Sequence, residues 1–273
     1  MKEVILNNGT KIPSIGVGVF RVEDANIAYE TVKTALSVGY RHVDTAMIYG
    51  NEEAVGKAIR DSGIPREEIF LTTKLWNDDQ RSGKVEEAIE ASLKRLGMDY
   101  VNLYLVHWPV KETYVSVWKK MEAVYKSGKA KAIGVSNYQT HHLAGLLEEA
   151  EIIPAVNQIE CYPYLSQAAT IQYCLERNIR PEAWGPLGAG KSDILTNPVI
   201  TEIAKKRGLT PAQVVLGWNL ERGVIVIPKS IHKERLTENL KCTDFELTDE
   251  DMTRISALNK NLRLGADPDH FNF

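Results

Sequence analysis

Cysteine is scarce in this 273-residue chain: three residues, Cys161, Cys174 and Cys242, at wide spacing and without a Cys-x-x-Cys pair. An odd, scattered set argues against a disulfide framework or a zinc-thiolate site and for reduced, buried thiols in a cytosol. Neither sign of charge is in excess. With 33 basic against 36 acidic side chains and a formal net charge of -3, the chain offers no positive field to nucleic acid or to an anionic membrane. No apolar run reaches membrane-spanning length, and the opening Met-Lys-Glu-Val-Ile-Leu-Asn-Asn-Gly lacks a signal-peptide core, so a cytoplasmic protein is expected. Linkers rich in Pro, Gly or Ser, charge blocks and low-complexity runs are missing too, which makes one domain over residues 1–273 the simplest organisation. There is no Gly-x-Ser-x-Gly nucleophile elbow and no His-x-His or other metal-ligand cluster, so no metal is expected.

What is present is alternation. The chain is 44% hydrophobic and 25% charged, long enough to bury one large core. Short β-branched or apolar runs recur at Ser14–Val19, Tyr40–Val43, Ile69–Thr73, Val101–Val106, Ala130–Val135, Ala155–Ile159, Ile179–Ala183 and Val224–Ile227, separated by stretches of helical periodicity. The helices carry their own punctuation: Asn51–Ser62 stops at Gly63 and a proline, Lys84–Leu96 stops at Gly97, and Thr210-Pro211 is an N-cap followed by a first-turn proline. Strands joined through helices pair in parallel, and eight such units in roughly 250 residues predict a closed (β/α)8 TIM barrel. Ahead of it, Asn7-Asn8-Gly9-Thr10 between two apolar runs predicts a β-hairpin capping the barrel bottom. A doubly wound sheet is the alternative, but Gly16-Val17-Gly18 lacks the third glycine and the later acid of a dinucleotide fingerprint.

In such a barrel the C-terminal strand ends share one mouth, so residues far apart in sequence meet there. The second strand ends in Asp44, with Tyr49 five residues on. The third ends in Lys74, the fourth in His107, the fifth in Ser136-Asn137, the sixth in Gln158 and the seventh in Trp184, and the eighth runs into Lys229-Ser230. Singly, each has a plainer reading, as a surface lysine, a core histidine or a loop cap; jointly they suggest a site. A tyrosine of pKa about 10 is a poor acid at neutral pH unless a cation stabilises its phenolate. Lys74 supplies a cation, Asp44 a counter-ion for it, and His107 a hydrogen bond that orients a carbonyl oxygen. That set suits protonation of the alkoxide formed when hydride adds to a carbonyl, and the hydride must come from a bound cofactor.

These residues lie in segments through which the chain resembles the aldo-keto reductase superfamily over nearly its full length. They are Gly39-Tyr40-Arg41-His42-Val43-Asp44-Thr45-Ala46 with Tyr49 and Asn51-Glu52, then Leu71-Thr72-Thr73-Lys74-Leu75-Trp76, and Asp99 to Pro109. Gly134-Val135-Ser136-Asn137, Asn157-Gln158-Ile159-Glu160 and Ile227-Pro228-Lys229-Ser230 complete the set. The resemblance implies a catalytic tetrad of Asp44, Tyr49, Lys74 and His107. It also implies NADPH or NADP+ as cofactor, with Ser136, Asn137 and Gln158 on the nicotinamide carboxamide and Trp184 stacked on the ring. Gly185, Pro186, Leu187 and Gly188 form the adjoining cofactor loop, and Lys229, Ser230, Ile231, Arg235, Glu238 and Asn239 match the segment for the 2'-phosphate and adenine. Phe20, Trp76 and Trp108, with Tyr49 and His107, are expected to line a pocket for a small-molecule carbonyl. The short loop after the fourth strand and the tail Gly265 to Phe273 are similar to microbial diketogluconate reductase and prostaglandin F synthase-like members. A monomer is expected. One departure is Leu216-Gly217-Trp218, where relatives usually carry Arg. The alternative function is a barrel that binds NADPH as a sensor or structural protein with little turnover.

Overall fold

A computed structural model of the chain describes residues 2–273. Among the described residues there are ten strands: β1 (Glu3–Ile5), β2 (Lys11–Pro13), β3 (Val17–Gly18), β4 (His42–Asp44), β5 (Phe70–Leu75), β6 (Val101–Val106), β7 (Ala130–Ser136), β8 (Val156–Glu160), β9 (Arg180–Trp184) and β10 (Ile225–Val226). β1 and β2 form the antiparallel hairpin, and β3 to β10 follow one another in order in an 8-stranded parallel sheet. The edges meet. Ile15 bridges Val226 in parallel, Gly16 N donates to Val226 O at 2.9 Å and Gly18 N to Pro228 O at 3.3 Å, so the sheet closes into the (β/α)8 barrel the alternation predicts. Each of the eight predicted barrel strands overlaps an observed one, although the first and last are regular over only Val17–Gly18 and Ile225–Val226.

The helices stand where their caps place them. Thr210 and Gln213 form a reciprocal capping box ahead of the helix Pro211–Glu221, and the helix Val85–Leu96 ends on Gly97 at φ 63°, a conformation that glycine adopts without strain. The helix expected over Asn51–Ser62 is regular only from Glu52 to Arg60, because Asn51 is its cap and its last turn unwinds through Asp61 and Ser62. Two apolar cores result. One lies between the helices and the outer face of the sheet; the other fills the barrel floor, where Leu6 and Ile12 of the hairpin meet Phe70, Ala155 and Ile225 near the strand starts. The hairpin therefore seals the bottom, leaving the upper end of the barrel open.

Candidate active site

Strand alternation puts Asp44, Lys74, Gln158 and Glu182 into the barrel interior near its mouth. Lys74, with no exposed surface, donates from Nζ to Asp44 Oδ1 at 2.6 Å and to Thr45 O at 2.8 Å, and lies 3.4 Å from Tyr49 Oη. Burial alone would lower its pKa, but Asp44 and then Tyr49 reverse the sign and hold it above the ordinary lysine value. Burial raises Tyr49, with Lys74 opposing it, so the phenol is protonated in the resting site. The Tyr49 ring sits 5.8 Å from the His107 ring, edge to face, and burial reinforced by Lys74 keeps His107 neutral. The four residues expected to act together are thus within one cluster.

The loop that carries Tyr49 is held from beneath. Thr45 Oγ1 donates to Asn51 Oδ1 at 2.6 Å, and Asn51 Nδ2 donates to Val19 O at 3.0 Å and Val22 O at 3.1 Å. Glu52 is buried and accepts from Thr73 Oγ1 at 2.6 Å while pairing with Arg95 at 2.7 Å. These contacts fix the turn between β4 and its helix against β5, and so fix the phenol relative to Lys74.

A second cluster borders the first. Asn137 has φ 66°, a left-handed conformation that asparagine tolerates better than most residues. From there its Nδ2 donates to His107 O at 3.0 Å and its Oδ1 accepts from Trp184 Nε1 at 2.8 Å. Ser136 Oγ donates to Gln158 O at 3.0 Å, and Gln158 Nε2 donates to Asp44 Oδ2 at 2.8 Å. Ser136, Asn137, Gln158 and Trp184 are therefore one hydrogen-bonded rim beside the tetrad. Gly185 and Gly188 continue it at φ 59° and 75°, conformations open to glycine. Lys229, Ile231 and Arg235 lie apart on the exposed stretch after β10, and neither cation is in an ion pair among the described residues. Glu238 is engaged by Thr210 Oγ1 at 2.8 Å, Asn239 is buried, and Ser230 Oγ accepts from His232 N at 3.1 Å.

The aromatic cluster around Tyr49 and His107 holds more residues than the sequence suggested. Phe20, half exposed, lies 4.9 Å from the Tyr49 ring, and Trp76 lies 5.2 Å from the His107 ring. Phe273 stacks on Trp76 at 5.8 Å and meets Trp108 edge-on at 5.2 Å, while Phe271 touches Trp108 at 5.1 Å. Glu160 anchors this tail by accepting from Leu264 N at 2.8 Å and Gly265 N at 3.0 Å, and Asn77 and Arg81 donate to Phe273 O at 3.0 and 2.8 Å. Phe271, Phe273 and the buried acid Glu182 were missed in the sequence. Alternating Phe-Asn-Phe was the only local signal for the first two, and the placement of Glu182 two residues before Trp184 for the third.

A family model described as the Aldo/keto reductase family matches residues 14–260. The chain belongs to that family. It is 51% identical over 270 residues to glyoxal reductase of Bacillus subtilis, with 99% of this chain and 97% of that protein covered. It is 44% identical over 268 residues to methylglyoxal reductase DkgA of Salmonella typhimurium, covering 97% and 96%. Among solved structures, the aldo-keto reductase MGS-M4 from a deep-sea metagenome superposes with a TM-score of 0.96 at 48% identity, over 99% of this chain and 100% of that one. This aldo/keto reductase is accordingly an oxidoreductase on a TIM barrel, and no helix among its described residues is long and apolar enough to cross a membrane.

Proposed function

We propose that the protein reduces small aldehydes and ketones to alcohols, with NADPH as the hydride source and Tyr49 as the proton donor. The observation that carries this reading is the position of the Lys74 ammonium between Asp44 and Tyr49. At 3.4 Å, an ammonium attracts a phenolate by about 5 kcal/mol at an effective dielectric of 20, which offsets the cost of burying the anion left when Tyr49 gives up its proton. His107, held neutral by burial, is an electrophilic hydrogen-bonding group rather than a cation. Trp76, Trp108 and Phe273 exclude water from the reacting carbonyl.

The side chains fit the cofactor that this reading requires. With the donors of Ser136, Asn137 and Gln158 engaged inside the rim, Gln158 Oε1 and the second lone pair of Asn137 Oδ1 are left to accept from a carboxamide, Trp184 offers a stacking face, and Lys229 and Arg235, in no ion pair among the described residues, suit the phosphomonoester that distinguishes NADPH from NADH. When bound, that group supplies the hydride. The chain's residues orient the carbonyl, exclude water and deliver the proton from Tyr49 Oη. Glyoxal and methylglyoxal, the compounds named for the two relatives, are the first substrates to examine.

Purified protein should oxidise NADPH in the presence of methylglyoxal, and Tyr49→Phe should lower kcat by roughly 100-fold or more, the scale of a lost general acid. Full turnover in Tyr49→Phe would overturn the mechanism. Equal kcat/KM with NADPH and NADH would overturn the role given to Lys229 and Arg235. Tight NADPH binding without reduction of any carbonyl in a broad panel would favour a binding protein instead.

A further inference from the structure

The barrel interior holds two titratable groups that the proposed chemistry leaves unused, Glu182 and His42, and the acid lies nearer the Lys74–Asp44 pair. Glu182 on β9 has no exposed surface, and its Oε2 accepts from Gln158 Nε2 at 3.0 Å, the same nitrogen that donates to Asp44 Oδ2 at 2.8 Å. Its Oε1 has no hydrogen-bond partner and lies 3.6 Å from Nε2 of His42, which is itself fully buried. The titratable groups facing it are Asp44 and His42 from β4 and Lys74 from β5, with the neutral Gln158 of β8 between the two acids. Two carboxylates and a single ammonium would leave one uncompensated negative charge in a dry interior. The acid form removes that charge, and the orphan Oε1, which accepts from no group among the described residues, can carry the hydrogen without disturbing the Gln158 contact to Oε2.

Resting on the reductase reading above, we propose that Glu182 is a positioning residue for proton donation: its protonated carboxyl leaves Asp44 as the sole counter-charge of Lys74, and its ionisation draws on that ammonium and suppresses transfer from Tyr49. Burial, and then Asp44, push the Glu182 carboxyl up to about 8, while burial with a contribution from Lys74 holds His42 down to about 3. The neutral pair therefore persists through neutral pH and is lost on the alkaline side. Ionised Glu182 shares the field of Lys74, so the phenolate formed at Tyr49 is less stabilised and kcat falls, while carbonyl binding at His107 and the aromatic wall is left alone.

The test is Glu182→Gln, whose amide keeps the shape of the neutral acid and can still accept from Gln158. In the unaltered protein kcat for carbonyl reduction should fall roughly tenfold between about pH 7 and 9, one pKa unit in the strength of the donor, with KM nearly constant. Glu182→Gln should flatten that limb. An unchanged alkaline limb in the variant would overturn the proposal. Infrared difference spectra between the same two pH values supply a readout independent of turnover. A buried carboxylic-acid band should vanish on alkalinisation in the unaltered protein and be missing from the variant at both pH values. Absence of that band in the unaltered protein at pH 7 overturns the proposal even if activity is high. A protein that shows the band yet reduces no carbonyl overturns the reductase reading and, with it, the role in proton transfer.

Discussion

Lys74 holds its charge where no water can share it, and everything near it is arranged accordingly. Asp44 and Thr45 O take up its protons, leaving one side open to Tyr49. Removal of one member of such a pair costs more than the pair contributes, because the survivor is stranded as an unpaired charge. Asp44→Ala should therefore lower unfolding free energy by about 3–5 kcal/mol, read as a lower urea midpoint with an unchanged slope. A shift under 1 kcal/mol would mean that water reaches Lys74 in the variant. At this scale the sequence was informative for Asp44, Tyr49, Lys74 and His107 because each ends a strand or opens the following loop, and the barrel rule then brings such ends together. For Glu182 it offered only a place two residues before Trp184, which says nothing of the Gln158 amide on the neighbouring strand. It was uninformative too for Phe271 and Phe273, whose partners Trp76 and Trp108 are set by how the tail folds back.

Helix positions explain two glycines that propensity would have discouraged. Gly217 lies inside the helix Pro211–Glu221, and a Cβ there would come within 2.8 Å of the Phe245 ring. Gly217 thus leaves room for an aromatic side chain packed on the helix. Gly56 is tighter still, since a Cβ would fall 1.8 Å from Leu96 O at the end of the helix Val85–Leu96. Gly56→Ala gains about 1 kcal/mol of helix propensity yet forces two helices apart, an overpacking cost of about 1–3 kcal/mol or more. The clash should win, so thermal unfolding of Gly56→Ala should begin at a lower temperature, whereas a rise in Tm would show that the helices slide freely. Helix ends such as Thr210, Pro211 and Gly97 were legible because capping is local chemistry. These two close approaches were not, because they depend on which neighbouring helix or loop packs against each glycine.

Across the whole molecule, two buried groups set opposing slopes of stability against pH. His42 titrates at about 3 when folded against an ordinary 6.5, so the unfolded chain binds the extra proton between those values and stability falls as pH drops through that window. Glu182 titrates at about 8 when folded against 4.5, so its contribution is complete below 4.5 and is lost as pH rises through 8. Urea midpoints should therefore decline on both sides of a maximum in the mildly acidic range, and Glu182→Gln should remove much of the decline between about pH 5 and 8. A variant with the same alkaline decline would assign that slope to other groups. The architecture itself was legible from eight apolar runs separated by capped helices, which is a global pattern that survives errors at any one boundary. The network beneath the mouth was not, because it is written in register across strands.

The barrel seam also bears on synthesis. Ser14 to Gly18 find their partners in Val226 and Pro228, more than 200 residues later in the chain. Until that last strand leaves the ribosome, the first strand is an unpaired edge, able to recruit a neighbouring nascent chain or to wait under a chaperone. Closure of so long a loop is intrinsically slow. Shortening that wait by a circular permutation that makes these two strands sequence neighbours should alter the yield of folded protein more than its final stability.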